Sequence, residues 1–411
     1  MSFSAALSGL NSASVDLDVI GNNIANVGVV GFKSSDPHFA DVYANSLSGA
    51  SGIQVGIGSK VSTVAQEFNQ GNISSTANAL DMAINGKGFF RLADNGAIAY
   101  SRNGQFHFDP QGFIVNDNNL QLTGYGVDAN GNIVPTAPAP IQISFADVNP
   151  NSTTQFAIGL NLDSRETPPA TAVFNPTDPT SYNQSTSGTV YDSLGNPHVL
   201  STYYVKTAVA NQWQAYGTID GSLANANIGG GAGLPVTMNF NSSGTLTTAM
   251  PLNASVVVAT GAVTPVAFTL DYSGSTQYGS PFGVNNLTQD GFTSGRLVSF
   301  SVSPNGIIVG RYTNGQTRNL AQVVTADFRN PQGLAPLGNN VWVDTAQSGL
   351  PIVGVPTTGS LGALQSSAVE DSNVDLTAEL VNMITAQRDY QANAQTIKTQ
   401  DQIMQTLVNL R

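Results

Sequence analysis

Seven-residue apolar repeats at both ends of the chain set its outline. Phe3, Leu10, Leu17 and Ile24 recur at that interval, with Ala6, Ala13, Ile20 and Val27 three positions later in each repeat. At the other end Val369, Leu376, Met383, Tyr390, Ile397 and Met404 keep the same spacing almost to Arg411. A sustained repeat of this kind marks a helix that packs along another helix. The spacing predicts a first helix over 4–27, about 36 Å long, stopped by Gly28 and Gly31. A last helix is expected to begin near Ser372-Asn373-Val374-Asp375, a capping arrangement. The acids at its start, Glu370, Asp371, Asp375 and Glu379, and Arg411 at its end suit the helix dipole. Before Lys33 only Asp16 and Asp18 carry charge. A helix whose back faced bulk water would carry more, so these helices are expected to find their partners in an assembly.

The chain between reads as short strands. Phe106 and Phe108 alternate, as do Ile141, Ile143 and Phe145, and Val298, Phe300 and Val302. Asn-Gly pairs at 85–86, 95–96, 103–104, 130–131, 305–306 and 314–315 offer the positive φ that tight hairpins need. Strands are expected at Val199–Val205, Trp213–Ile219 and Val236–Phe240. Residues 34–75, with Gly49, Gly52, Gly56 and Gly58, have poor periodicity and read as an extended linker. The expected class is mainly β with α-helical termini, in a nested multi-domain architecture whose long N- and C-terminal helices pair beside two β-rich domains. Residues 1–33 and 368–411 form a terminal helical assembly domain. Residues 76–145 and 286–367 form a discontinuous inner β-domain, into which an outer β-domain, 146–285, is inserted.

Charged residues are only 10% of the 411, against about 25% in an average soluble domain. The net charge of −12 comes without any basic run, which argues against nucleic acid as a partner. There is no cysteine, hence no disulfide, thiolate metal site or cysteine nucleophile. His38, His107 and His198 lie in unrelated segments without metal-ligand spacing. Asp147, Asp163, Asp192, Asp271 and Asp290 mostly stand beside Gly, Asn or Pro, where Asp makes local turn hydrogen bonds. Asn85-Gly86-Lys87-Gly88 lacks the spacing of a phosphate loop. No catalytic constellation emerges, so the expectation is a non-enzyme with no cofactor, metal or small-molecule substrate. The first basic residue is Lys33, so no charged leader precedes an apolar stretch, and export without a cleaved signal is expected.

Several motifs resemble those of the bacterial flagellar rod–hook family of axial proteins. Asn22-Asn23-Ile24-Ala25-Asn26, followed by Gly31-Phe32-Lys33, is similar to its N-terminal signature, with Val29-Val30 where the family usually has Thr. Leu80 to Gly86, Gly88-Phe89-Phe90 and Arg102 to Phe106 are similar to its central motif. Ser372 to Leu376, Gln387-Arg388 and Tyr390-Gln391-Ala392-Asn393 resemble its C-terminal signature. Val190 to His198 and Phe328 to Leu334 resemble the hook branch, whose members carry a large insertion.

The resemblance implies a subunit that assembles with copies of itself into a curved helical tube between flagellar rod and filament. It also implies contacts with rod, hook-cap and hook–filament junction proteins and with the flagellar export apparatus. Leu10, Leu17, Ile20, Ile24, Leu376, Leu380, Met383, Tyr390, Ile397 and Met404 are the residues expected to form the assembly seam. Alternatives are a sister axial protein of the distal rod or junction or, in another class, a secreted β-scaffold adhesin or glycan hydrolase.

Overall fold

The computed structural model describes residues 3–42, 56–94, 96–128 and 131–409. Arg411, Asn95, Asn130, Gly49 and Gly52 lie outside them. The chain divides into two units: Met1–Phe145, Ser299–Arg311 and Thr317–Arg411 form the first, and Ala146–Val298 with Tyr312–Gln316 form the second.

In the first unit, helix α1 runs Phe3–Ala25. It stops short of the predicted end because the bonds tighten to i→i−3, Asn26 N donating also to the Asn23 carbonyl at 3.2 Å and Val27 N to that of Ile24 at 3.3 Å. The Asn26 Nδ2 adds a bond to the Asn22 carbonyl at 2.8 Å. Helix α2 runs Leu376–Asn409. Asp375 caps it, its Oδ1 accepting from the backbone N–H groups of Thr377 at 2.8 Å and Ala378 at 3.2 Å.

The expected extended linker is instead an antiparallel pair, β1 (Ser35–Val42) and β2 (Gly58–Gln66), with a bulge between His38 and Phe39. It is docked on α1: Ser59 N donates to Ser8 Oγ at 3.1 Å, and the Ser12 and Ser59 hydroxyls lie 3.0 Å apart.

Two short pairings bring the C-terminal segment back to the N-terminal one. Strand β3 (Ile73–Ser75) pairs with Ala368–Glu370, and β4 (Met82–Asn85) with Ala363–Ser366. Strands β5 (Phe89–Asp94) and β6 (Ala97–Ser101) lie at the centre of the main sheet, next to Gln121–Tyr125 on one side and Val341–Val343 on the other. Phe89, Tyr100, Phe328 and Trp342, with the partly buried Phe68, pack edge to face at 4.8–5.9 Å between ring centroids. Such geometry adds about 0.5–1.5 kcal/mol per pair beyond burial. Glycines 86 and 306 take the expected positive φ; Gly104 does not, and its carbonyl accepts from Met82 N at 2.9 Å.

The second unit is a β-sandwich. One antiparallel sheet is ordered Gln184–Tyr191, Pro197–Lys206, Gln212–Ile219, Val236–Asn239. The other is ordered Ala226–Asn227, Leu252–Val256, Val266–Asp271, Gln155–Asn161, Gly283–Gln289. Alternate residues of the central strands are buried, among them Leu200, Tyr204, Trp213 and Ala215. They meet Phe156, Leu160, Phe268 and Leu270 of the other sheet in one core, as period-two patterning requires.

The unit extends past the boundary expected at 285. Gly283–Gln289 completes its second sheet by pairing with Gln155–Asn161, and the unit reaches Val298. The alternation read at Val298, Phe300 and Val302 is correspondingly broken: Val298 is 63% exposed, and Val302 is buried.

Candidate functional site: the junction of the chain ends

Three motif segments far apart in sequence converge on one buried carboxylate. Glu370, at the end of Ala368–Glu370, has no exposed surface. Its Oε1 accepts from Lys33 Nζ at 2.7 Å and from Gly71 N at 2.9 Å, and its Oε2 from Arg102 Nη1 at 3.1 Å. Its backbone carbonyl accepts from Gly31 N at 2.7 Å. Lys33 gives a second hydrogen bond to the Asn69 carbonyl at 2.7 Å, and Arg102 one to the Gly86 carbonyl at 2.9 Å. The guanidinium also stands 5.4 Å from the centre of the Phe89 ring.

Two buried cations therefore share one anion, and the backbone carbonyls of Asn69, Ile84 and Gly86 accept from them as well, while Arg102 Nε is buried without an acceptor. Burial pushes the Lys33 and Arg102 pKa values down despite the attraction of Glu370. Gly31 is required here by its backbone: φ is +70°, and a Cβ would lie 2.5 Å from Asn103 N.

Asparagines tie the helices to this junction. Asn23, 2% exposed, donates to the Ser35 carbonyl and to Glu379 Oε1, both at 2.9 Å, while accepting from Ser35 N at 2.9 Å. Asn373 accepts from Ser34 N at 2.8 Å and donates to the Glu67 carbonyl at 2.7 Å. Asn23 thus links α1, β1 and α2, and Asn373 links the chain entering α2 to both ends of the hairpin.

The two helices pack against each other in antiparallel orientation. Asn23 meets Glu379, and a Cβ placed on Gly9 would lie 2.7 Å from Asn393 Oδ1. From Gly9 to Asn23 is 23 − 9 = 14 residues, and from Glu379 to Asn393 is 393 − 379 = 14, so both helices keep a heptad register. The seam contains Gly9 and Asn23 on α1 and Glu379, Ala386 and Asn393 on α2, and beside it, three positions earlier in each repeat, the expected row Ala6, Ala13 and Ile20 is the buried apolar row of α1. Apart from Ile20 in that row, the seam is made of small and polar residues. Asp16 is held above the usual carboxylate range by burial and by the neighbouring Asp36, Glu379 and Asp389. The helices are thus each other's partners within the subunit, as the expected pairing of the terminal helices has it, and an assembly is not the only source of partners for them.

The larger apolar side chains remain outside. On α2, Leu376, Leu380, Val381, Ile384, Ile403, Met404 and Val408 are exposed, from 42% at Leu376 to 71% at Val408. Tyr390 is also exposed, and Met383 and Ile397 are half-buried. On α1, Leu10, Leu17 and Ile24 are half-buried. Ile20 is 3% exposed and packs inside the subunit, so it leaves the expected assembly set.

Of the motif residues, Asn23, Gly31 and Lys33 sit in the junction. Asn26 closes α1 against Asn22, whose side chain is exposed, and Phe32 is half-buried. Gln387 and Arg388 stand exposed on α2, away from the junction. Glu370 was expected to serve the helix dipole, but it lies before α2 and serves the ion cluster instead. Its signal in the sequence was a charge beside Ala368 and Val369 in a chain poor in charge.

Among the described residues, no group of three or more His, Asp or Glu side chains is placed to hold a metal ion, and no helix is long and apolar enough to cross a membrane. Of the aspartates read as turn residues, Asp271 accepts from Ser273 N at 2.7 Å and Asp163 from Arg165 N at 2.9 Å, whereas Asp290 accepts from the distant Thr154 N at 2.8 Å and Gln155 N at 2.9 Å.

The sequence matches four family descriptions: "Flagella basal body rod protein" over residues 3–33, "Flagellar hook protein FlgE/F/G D1 domain" over 83–191, "Flagellar basal body protein FlaE D2 domain" over 161–292, and "Flagellar basal body rod FlgEFG protein C-terminal" over 365–410. The flagellar hook protein FlgE of Escherichia coli is 45% identical over 420 residues, covering 100% of both chains. That of Borreliella burgdorferi is 32% identical over 445 residues, covering 99% of this chain and 98% of its own. The crystal structure of the Helicobacter pylori flagellar hook protein FlgE2 is similar at a TM-score of 0.53 and 14% identity, covering 72% of this chain and 100% of that one. This last likeness is one of fold.

Proposed function

The chain belongs to the flagellar hook protein family, and we propose that it polymerises through its terminal helices into a flexible curved tube that carries torque from rod to filament. It is a structural subunit of the bacterial flagellar hook. The observation that carries the assembly reading is the division of labour on α2. Small and polar residues make the contact within the subunit, and Leu376, Leu380, Val381 and Ile384 are left exposed for another copy. Head-to-tail contacts that do not close a ring generate a helical polymer. Each apolar side chain fully buried at such contacts contributes about 1.5–3 kcal/mol before ordering costs.

In this reading the helices line the inner wall of the tube. The ion cluster at Glu370 is a structural latch that fixes both helices to the first unit, and the subunit performs no catalysis. The partners are copies of the same chain, the rod below, and the cap and junction proteins at the far end. The subunit reaches them through the flagellar export apparatus without a cleaved signal. Negative-stain electron microscopy of polymer assembled from the purified chain tests this. Curved hollow tubes are expected; straight rods would favour a rod subunit, and failure to polymerise under all salting-out conditions would sink the assembly reading.

A further inference from the structure

His198 lies in the sandwich unit, 5% exposed, between two carboxylates. Its Nδ1 is 2.7 Å from Asp220 Oδ2 and its Nε2 is 3.3 Å from Asp192 Oδ2. A neutral imidazole has one N–H and would leave its other nitrogen's lone pair facing a carboxylate oxygen. Only the imidazolium satisfies both contacts.

The two aspartates are themselves the organisers of separate loops. Asp192 Oδ1 accepts from Leu194 N and Asn196 N, both at 2.9 Å, and shapes the turn between Gln184–Tyr191 and Pro197–Lys206. Asp192 Oδ2 accepts from Asn196 Nδ2 at 3.0 Å and from Thr260 Oγ1 at 2.6 Å, reaching the loop after Leu252–Val256. A second link joins the same two loops, Val263 N donating to Ser193 Oγ at 2.9 Å. Asp220, at φ +47° just past the end of Gln212–Ile219, accepts from Val199 N at 2.9 Å. Asp192 and Asp220 are the charged groups that face the imidazole among the described residues.

We propose that His198 is a proton-operated lock that, when protonated, holds the 192–196 turn, the turn at Asp220 and the 258–264 loop together, and releases them when it loses its proton. The lock belongs to the second unit alone and does not depend on how the helices assemble. Burial alone would depress the imidazole, but the hydrogen bonds to Asp220 and Asp192 outweigh it and raise its pKa above the ordinary histidine value. Burial would likewise raise Asp192, yet the hydrogen bonds from Thr260, Asn196 and His198 hold it well below the carboxylate range. A raised folded-state pKa gives a stabilisation that is fully present below about 6.5, the unfolded value, and is lost as pH rises through the folded value.

The test uses the full chain as monomer. The His198 imidazole is titrated by NMR, and amide hydrogen exchange of peptides covering 192–198, 219–222 and 258–264 is followed from pH 6 to pH 9, corrected for the intrinsic pH dependence of exchange. The lock predicts a titration midpoint above about 6.5 and a loss of protection of at least about tenfold through that midpoint, confined to these loops. Asp220→Asn should lower the midpoint. His198→Gln, if it folds, should exchange at the fast rate at every pH. A His198 midpoint at or below the ordinary value, or protection of the three loops unchanged across the range, would overturn the proposal.

Discussion

Replacing Glu370 by alanine is expected to destabilise the first unit by about 3–5 kcal/mol, the cost of removing one partner from a buried ion pair. The magnitude follows from what remains. Lys33 and Arg102, 1% and 4% exposed, would keep their positive charges without an anion between them. Gly71 N would lose its acceptor as well. Glu370→Gln keeps the size and one acceptor oxygen, so it should cost less than the alanine change. It would still leave two buried cations uncompensated. Denaturant unfolding followed through Trp342, which packs in the core of this unit, reads the change directly. A loss below about 1 kcal/mol, the range of an exposed ion pair, would show that the cluster is not what holds the chain ends.

The second large effect concerns assembly with the fold left intact. Leu380→Glu together with Ile384→Glu changes two side chains that are 46% and 52% exposed in the subunit. Substitutions at such positions typically alter stability by no more than about 0.5 kcal/mol. If both are buried against another copy, the lost contribution is about 3–6 kcal/mol at about 1.5–3 kcal/mol each, before the cost of desolvating two carboxylates. Each 1.4 kcal/mol is about tenfold in affinity, so polymerisation should weaken by at least about a hundredfold. Sedimentation of polymer against monomer measures it. Normal polymer at wild-type concentration would remove these residues from the seam.

The sequence carried the outline of the fold in its periodicities, and where periodicity failed the reading failed. The two long helices were legible because apolar residues recur every seven positions in both. The period was right, and on α1 one of the two rows, Ala6, Ala13 and Ile20, is the buried one. The row of large side chains Phe3, Leu10, Leu17 and Ile24 stays exposed or half-buried, whereas Gly9 and Asn23 meet Asn393 and Glu379. Small and polar residues give no hydropathy signal, although a glycine on a helix face permits close approach.

The sandwich was legible at Pro197–Lys206 and Gln212–Ile219, where every second residue is buried. The β1–β2 pair was not, because each strand buries a single residue and β1 contains Pro37, which argues against a strand interior. The same holds for Gly283–Gln289, exposed along nearly its whole length, and its concealment shifted the expected domain boundary. The ion cluster lay beyond sequence reasoning of this kind. Lys33 and Glu370 are 337 residues apart and Arg102 and Glu370 are 268 apart, and local pattern says nothing about such pairs.

The central claim is that the exposed apolar face of α2 is covered by another copy in the polymer. The chain contains no cysteine, so a single Ile384→Cys change provides a unique thiol. Its rate of maleimide labelling is compared in monomer and assembled polymer, with Val173→Cys in the second unit, 78% exposed, as the reference position. The account predicts that position 384 labels readily in the monomer and is strongly protected in the polymer relative to its own monomer rate and to position 173. Equal labelling of position 384 in monomer and polymer would contradict it.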